Sequence, residues 1–357
     1  MTTRQDRERP TPMEPRVLAD DTLKVLSLFA GCGGMDLGFE QAGFAVAAAN
    51  EFWHPAAETY RRNFPGTVLV EGDINDPSVK GDLVAACGGS CDVLIGGPPC
   101  QAYSMAGRRD PNDPRGRLFE AYVEMVGRVR PMFTVMENVK GLLSMRHDGV
   151  RVRDLIHARM DEAGYQVFTK VLDAADYGVP QHRERVIILG ARKDVAFDPP
   201  GMSPFPPHTH SRQMDMFEPL APHVSVRTAI ADIADLPEDP GSNHVFTKHS
   251  PEYVKRIHMT PWGSSVTRYS EACFRCHPDF PSKTVKANNG GVFIHYDKDR
   301  CMSARELARL QGFPDQHVFH GTKGDVLKQI GNAVPPPLAK AIAEKLRNLT
   351  QGLALKV

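Results

Sequence analysis

The stretch "GGPPCQAYS" sets Cys100 behind two prolines, just past the apolar run "CDVLI". A cysteine that serves as a small hydrophobe sits within such a run. One held at its exit by two stiff residues, with Gln101 after it, is placed for exposure on a rigid turn. Two other stretches carry groups that could work with a thiol. "VMENVKG" brings Glu137 to the end of another apolar run. "QHRERVIILG" carries Arg183 and Arg185 two residues apart, where an extended backbone points both to one face. A thiol, a carboxyl group and guanidinium groups on one rim supply a nucleophile, an acid and an electrostatic clamp.

A second set of residues reads as a ligand cradle. "FAGCGGMDLGF" follows the first apolar run, and Gly31, Gly33 and Gly34 allow a tight turn with close backbone approach. The spacing is neither a Walker loop nor the G-x-G-x-x-G of dinucleotide folds. Glu51 ends the next run, where a carboxylate can accept ribose hydroxyls, and Asp73 ends the third, where one can accept from an adenine amino group. Phe29 and Phe52 can sandwich a purine or serve as core aromatics, and both readings stay open. Acids at the ends of consecutive strands beside a glycine turn point to a nucleoside-containing cofactor.

Alternating elements must position these groups. Apolar runs at 24–29, 45–50, 67–72, 92–97 and 133–138 read as strands, with helical spacing in the stretches between them. Further strands fall in "YQVFTKVLDAADYG" and "RERVIILGAR". This alternation implies an α/β fold with a mostly parallel, doubly wound sheet, whose chemistry collects at the carboxyl ends of the strands. The proline-rich "DPPGMSPFPPH" then breaks the pattern, and helix signals return in "SARELARLQGF" and "PPLAKAIAEKLRNL". The expected division is a disordered tail over 1–22, a catalytic domain over 23–196, a smaller irregular domain over 197–292 and a C-terminal segment over 293–357.

Composition narrows the class. The 357 residues carry 43 basic and 43 acidic side chains, so net charge does not announce a nucleic-acid partner. Between 244 and 280, however, Lys248, Lys255, Arg256, Arg268 and Arg275 outnumber the acids, and a neutral total can hide a basic face. No apolar stretch reaches the ~18 residues of a membrane span, and no signal-peptide pattern opens the chain, so a cytoplasmic protein is expected. The seven cysteines form no regular disulfide framework. Cys273 and Cys276 make a CxxC without the second half of a zinc site, so no metal is expected.

Taken in order, "LFAGCGGMDLGFEQAGF", "GGPPCQAYS", "MENVKGLL", "QHRERV", "RELARLQGFPD" and "IGNAVPPPLA" resemble the motif set of the bacterial-type cytosine-5 DNA methyltransferases. The likeness runs from about Leu26 to Leu346, apart from the irregular segment. It implies a Rossmann-like methyltransferase sheet, S-adenosylmethionine as cofactor and double-stranded DNA as partner. It makes Cys100 the nucleophile that adds to carbon 6 of cytosine, Glu137 the acid at ring nitrogen 3 and Arg185 the clamp on the carbonyl oxygen. Arg183 would support the thiolate or Glu137, and Asn138 would fix the local backbone. The last motif, returning beside the first, adds Asn332 and Ala333 to a cofactor set of Phe29, Ala30, Gly31, Gly33, Gly34, Glu51, Phe52, Asp73, Ile74 and Pro98.

The resemblance also turns the irregular segment into a target recognition domain. Its loops would be "TPWGSSVTRYS" and "KANNGG", with Trp262, Ser264, Ser265, Arg268, Asn288 and Asn289 facing DNA. Arg268 can read guanine edges and either asparagine can read adenine. Ser104, Arg108, Arg109, Arg115 and Arg117 follow the cysteine in a Gly- and Pro-containing stretch, and would hold phosphates as a lid closes. A monomer is implied, with a cognate restriction endonuclease as a further partner. Two other readings share the motifs. A tRNA cytosine-5 methyltransferase would carry the Cys-Phe-Thr signature of that subfamily, which is absent here. An inactive DNA-binding regulatory homologue would not need Cys100, Glu137, Arg183 and Arg185 together.

Overall fold

The computed structural model describes residues 22–99, 117–195, 203–212, 220–267, 273–287 and 293–354. Its first half alternates β1 (Lys24–Leu28), α1 (Gly34–Gln41), β2 (Ala45–Glu51), α2 (His54–Asn63), β3 (Val68–Glu71), α3 (Pro77–Ala86) and β4 (Val93–Gly96). Then come α4 (Arg117–Val129), β5 (Phe133–Val139), α5 (Val152–Glu162), β6 (Tyr165–Asp173) and β7 (Glu184–Arg192). The seven strands make one sheet in the order β3-β2-β1-β4-β5-β7-β6. β1 to β5 run parallel, and β7 runs antiparallel to both of its neighbours.

The central strands β1 and β4 are buried on both faces, which is why they read as near-continuous apolar runs rather than alternating ones. Val25 lies opposite Val93, and Val93 opposite Phe133, so these strands stay level at their carboxyl ends. Chain order reverses between β1 and β4. At such a switch point the connections leave in opposite directions and a crevice opens beyond the strand ends.

Helices cover both faces. On one, α1 and α10 (Pro336–Ala354) lay Phe39, Leu338, Ile342 and Leu346 against Val25, Val93 and Phe133. Each of these side chains contributes roughly 1.5–3 kcal/mol through burial. The two helices come backbone-close because Gly38 has no side chain: a Cβ there would lie 2.6 Å from the Ala339 Cβ. The other face is covered by α3, α4 and α5 through Leu83, Tyr122, Met125 and Ile156.

Beyond β7 lie α6 (Val226–Ile230), α7 (Pro251–His258), α8 (Ala304–Leu310) and α9 (Lys323–Asn332). The apolar pattern singles out α8 and α10 but not α5, α7 or α9. Side-chain chemistry starts α9 instead, since Thr322 and Asp325 form a reciprocal capping box. Ile230, Phe274, Phe293, Leu307 and Ile330 share one core, so the irregular segment packs on α8 and α9; Cys32 of the glycine turn joins the same cluster. Among the described residues no helix is long and apolar enough to cross a membrane, and no group of three or more His, Cys, Asp or Glu side chains suits a metal ion.

Candidate active site

Five strand ends open into one cavity of about 710 Å³. β1 contributes Phe29 to Gly31, β2 Glu51 and Phe52, β3 Asp73 and Ile74, β4 Gly96 to Pro99, and β5 Glu137 to Val139. The turn after α9 closes the wall with Asn332, Ala333 and Val334. This is the crevice that the strand order requires.

The glycine turn is held by the second strand. Glu51 accepts from the Gly31 amide through Oε2 at 2.8 Å and from the Trp53 amide through Oε1 at 2.7 Å. Burial pushes the Glu51 pKa up, opposed by these amide donors. Each oxygen keeps a second lone pair for a ligand hydroxyl. Phe29 leaves β1 with φ 55°, a left-handed conformation rare for an aromatic residue and of the kind that a surrounding site must stabilise. Exposed Asp73 accepts from both the backbone and the side-chain nitrogen of Asn75, which fixes its carboxylate at the β3 end.

Of the cofactor residues named from sequence, Phe29, Ala30, Gly31, Gly34, Glu51, Phe52, Asp73, Ile74, Pro98, Asn332 and Ala333 line the cavity. Gly33 does not. It caps α1 with φ 86°, and a Cβ there would lie 2.1 Å from the Phe64 ring, so its missing side chain serves helix packing. Among the lining residues that the sequence did not single out are Trp53 and Lys328, whose ammonium stands 4.2 Å from the indole centroid. The tryptophan was within reach, directly after Glu51 and Phe52.

At the other end, space decides the sequence. A Cβ on Gly96 would lie 2.6 Å from the Leu28 carbonyl oxygen, and one on Gly97 3.3 Å from Glu137 Oε2. Asn138 donates from Nδ2 to the Pro98 carbonyl at 3.0 Å, stitching the β4 exit to β5. Beside this stitch Arg185 Nε donates to Glu137 Oε1 at 2.8 Å, with both side chains nearly buried. Desolvation raises the Glu137 pKa; Arg185 and Arg183 pull it down, and burial prevails. A carboxyl group so placed can hold a proton and donate it.

Both arginines act on Glu137, but only Arg185 touches it. Arg183 precedes β7, where Asp173 accepts from its amide, and its side chain turns inward to 1% exposure. It donates to the carbonyls of Val285 at 3.0 Å and of Gly331 and Ala333 at 2.9 Å. Its influence on Glu137 is electrostatic, without a hydrogen bond. Its contacts also tie the irregular segment and the Asn332 turn to the sheet, a packing role beyond its expected support of Glu137. Gln181 reinforces the tie, accepting from the Val285 amide and donating to the Leu310 carbonyl.

Cys100, Ser104, Arg108, Arg109, Arg115, Arg268, Asn288 and Asn289 lie outside the described residues. Arg117 opens α4. Trp262 is half exposed, with its indole N–H donating to the Tyr296 carbonyl, and Ser264 is exposed. Ser265 is half-buried, with its hydroxyl covered where the chain bridges to Phe274.

The family model for C-5 cytosine-specific DNA methylases matches residues 23–348. The chain is 38% identical to the Type II methyltransferase M.NgoFVII of Neisseria gonorrhoeae, over 89% of this chain and 86% of that protein. It is 37% identical to the Type II methyltransferase M1.HphI of Haemophilus parahaemolyticus, over 90% and 86%. A crystal structure from E. coli, described as a prophage-encoded DNA modification methyltransferase, is similar with a TM-score of 0.75 at 27% identity, covering 92% of this chain and 100% of that one. The chain belongs to the C-5 cytosine-specific DNA methylases and is a DNA cytosine-5 methyltransferase that draws its methyl group from S-adenosylmethionine.

Proposed function

We propose that this enzyme methylates a cytosine flipped out of duplex DNA, through a covalent bond between Cys100 and carbon 6. The observation that supports this most is the buried Glu137–Arg185 pair, set against the Gly97–Pro98–Pro99 exit that leads into Cys100. The adjoining cavity suits a cationic nucleoside, since Glu51 and Asp73 line it at the β2 and β3 ends. When bound there, S-adenosylmethionine supplies an electrophilic methyl group.

The chain's own residues do the rest. The Cys100 thiolate bonds to carbon 6 while Glu137 gives its proton to ring nitrogen 3, so charge does not build on the ring. Carbon 5, made electron-rich, can then bond to the methyl carbon as the sulfur–methyl bond breaks and the sulfur leaves with its pair as a neutral thioether. A base then removes the carbon 5 proton, the double bond re-forms as the thiolate leaves, and Glu137 recovers its proton. Arg185 spends its Nε on Glu137 and has further N–H groups for the cytosine carbonyl oxygen. None of these groups reaches a stacked base, so flipping is required at a few kcal/mol.

Segment 197–292 is proposed as the target recognition domain, with Arg268 and Asn288 or Asn289 reading bases. Ser104, Arg108, Arg109, Arg115 and Arg117 are proposed to hold phosphates. As a Type II enzyme it would act as a cytoplasmic monomer beside a cognate endonuclease. Arg268→Ala should cost about 1–3 kcal/mol on the cognate duplex and little on a scrambled one. Arg108→Ala should weaken both alike and flatten the log-affinity against log-salt slope by about 0.9. Binding titrations at several salt concentrations check both, and equal losses on both duplexes for Arg268→Ala would move that residue to the backbone.

Two acids test the cofactor placement. Asp73→Ala should weaken S-adenosylmethionine binding about 10- to 100-fold, as loss of a charge-assisted hydrogen bond does. Glu51→Ala should cost more, because it also unties Gly31 and Trp53. Unchanged calorimetric affinity in both folded variants would remove the ribose and adenine from this end. For the activity itself, bisulfite sequencing of a host expressing the protein should show methylated cytosine at one short DNA motif. Unmodified DNA beside methylated tRNA would overturn the reading.

A further inference from the structure

The described residues that line the cavity include four carboxyl side chains and a single basic one, Lys328. S-adenosylmethionine brings a sulfonium, an ammonium and a carboxylate. Glu51 and Asp73, at the β2 and β3 ends, suit the cationic groups and repel the third. We propose that Lys328 binds the carboxylate of the cofactor's amino-acid tail.

Position supports the assignment. Lys328 and Asn332 stand four residues apart on α9, so they share one helix face, and both line the cavity together with Gln329 and Ala333. The Lys328 ammonium rests 4.2 Å from the Trp53 ring centroid, two residues past Glu51. Lys328 is exposed, and a cation–π contact at an exposed site is weak, so the flexible stem can swing from the indole to a carboxylate without disturbing the core. Asp325, a turn earlier on the same helix, is committed elsewhere: its Oδ2 accepts from the Thr322 amide and hydroxyl as part of the cap. The rival holder of the carboxylate is the set of amides in the glycine turn at the start of α1.

The inference rests on this cavity being the cofactor site, and calorimetry with two ligands separates the two claims. S-adenosylhomocysteine has the amino-acid tail; 5′-methylthioadenosine keeps the adenosine and sulfur but lacks it. Lys328→Met should weaken S-adenosylhomocysteine about 10-fold and leave methylthioadenosine within about 2-fold, with Lys328→Arg retaining most of the affinity. Asp73→Ala should weaken both ligands alike, since both carry the adenine; no loss for either ligand would place the adenosine elsewhere and overturn the cavity assignment. If Lys328→Met leaves S-adenosylhomocysteine unchanged, the turn amides hold the carboxylate and the proposal fails. If both ligands weaken equally, Lys328 only supports the Trp53 wall, and the proposal also fails.

Discussion

Cys100→Ser is expected to lower the rate of methyl transfer by at least about 1,000-fold, the scale seen when a catalytic nucleophile is removed. A hydroxyl cannot supply the anion that a thiol supplies near neutral pH, so addition to carbon 6 stalls. Cofactor affinity should stay within about 2-fold, because the adenosine contacts proposed for Glu51 and Asp73 lie at the β2 and β3 ends, away from the β4 exit. Tritiated methyl incorporation into DNA measures the first quantity and calorimetry the second. Near-normal turnover in the Ser variant would exclude Cys100 as the nucleophile.

Glu137→Gln should lower kcat by about 10²- to 10⁴-fold, the usual contribution of a positioned acid. It should also change stability in a pH-dependent way. Burial raises the Glu137 pKa in the folded protein above its usual 4.5, so the folded state binds that proton more tightly than the unfolded state. By linkage, wild-type stability then declines as pH rises from the unfolded value through the raised folded one. The Gln variant has no such proton and no such decline. Its melting temperature should therefore gain on the wild type as pH increases from 4.5, measured by scanning calorimetry across a pH series. A gap that narrows with rising pH would mean that Arg185 outweighs burial and that Glu137 is held ionised.

Much of this site was legible because parallel strands buried on both faces announce themselves, and the groups that matter sit where those strands stop. Glu51, Asp73 and Glu137 each terminate an apolar run, and all three line one cavity. The reading failed where local pattern and tertiary role part. The packing role of Arg183 has no local signal, since it stands just before β7 and its partners are carbonyls more than 100 residues away. Gly33 shares the turn's composition with Gly31, yet only Phe64, far along the chain, explains why it must be glycine. Lys328 sits on a helix that begins with a capping box rather than an apolar period, so nothing local drew it toward the cavity.

The central claim is a covalent bond between Cys100 and the target cytosine. A long duplex copied with 5-fluoro-dCTP in place of dCTP contains every short site, and fluorine at carbon 5 cannot leave as a proton does. Incubated with the enzyme and S-adenosylmethionine, it should trap an adduct that survives denaturation. Mass spectrometry of the digested complex should then place a methylated fluorocytosine nucleotide on the peptide containing Cys100, with no adduct from the Cys100→Ser variant. An adduct on another cysteine, or none under conditions where unmodified DNA is methylated, would contradict the account.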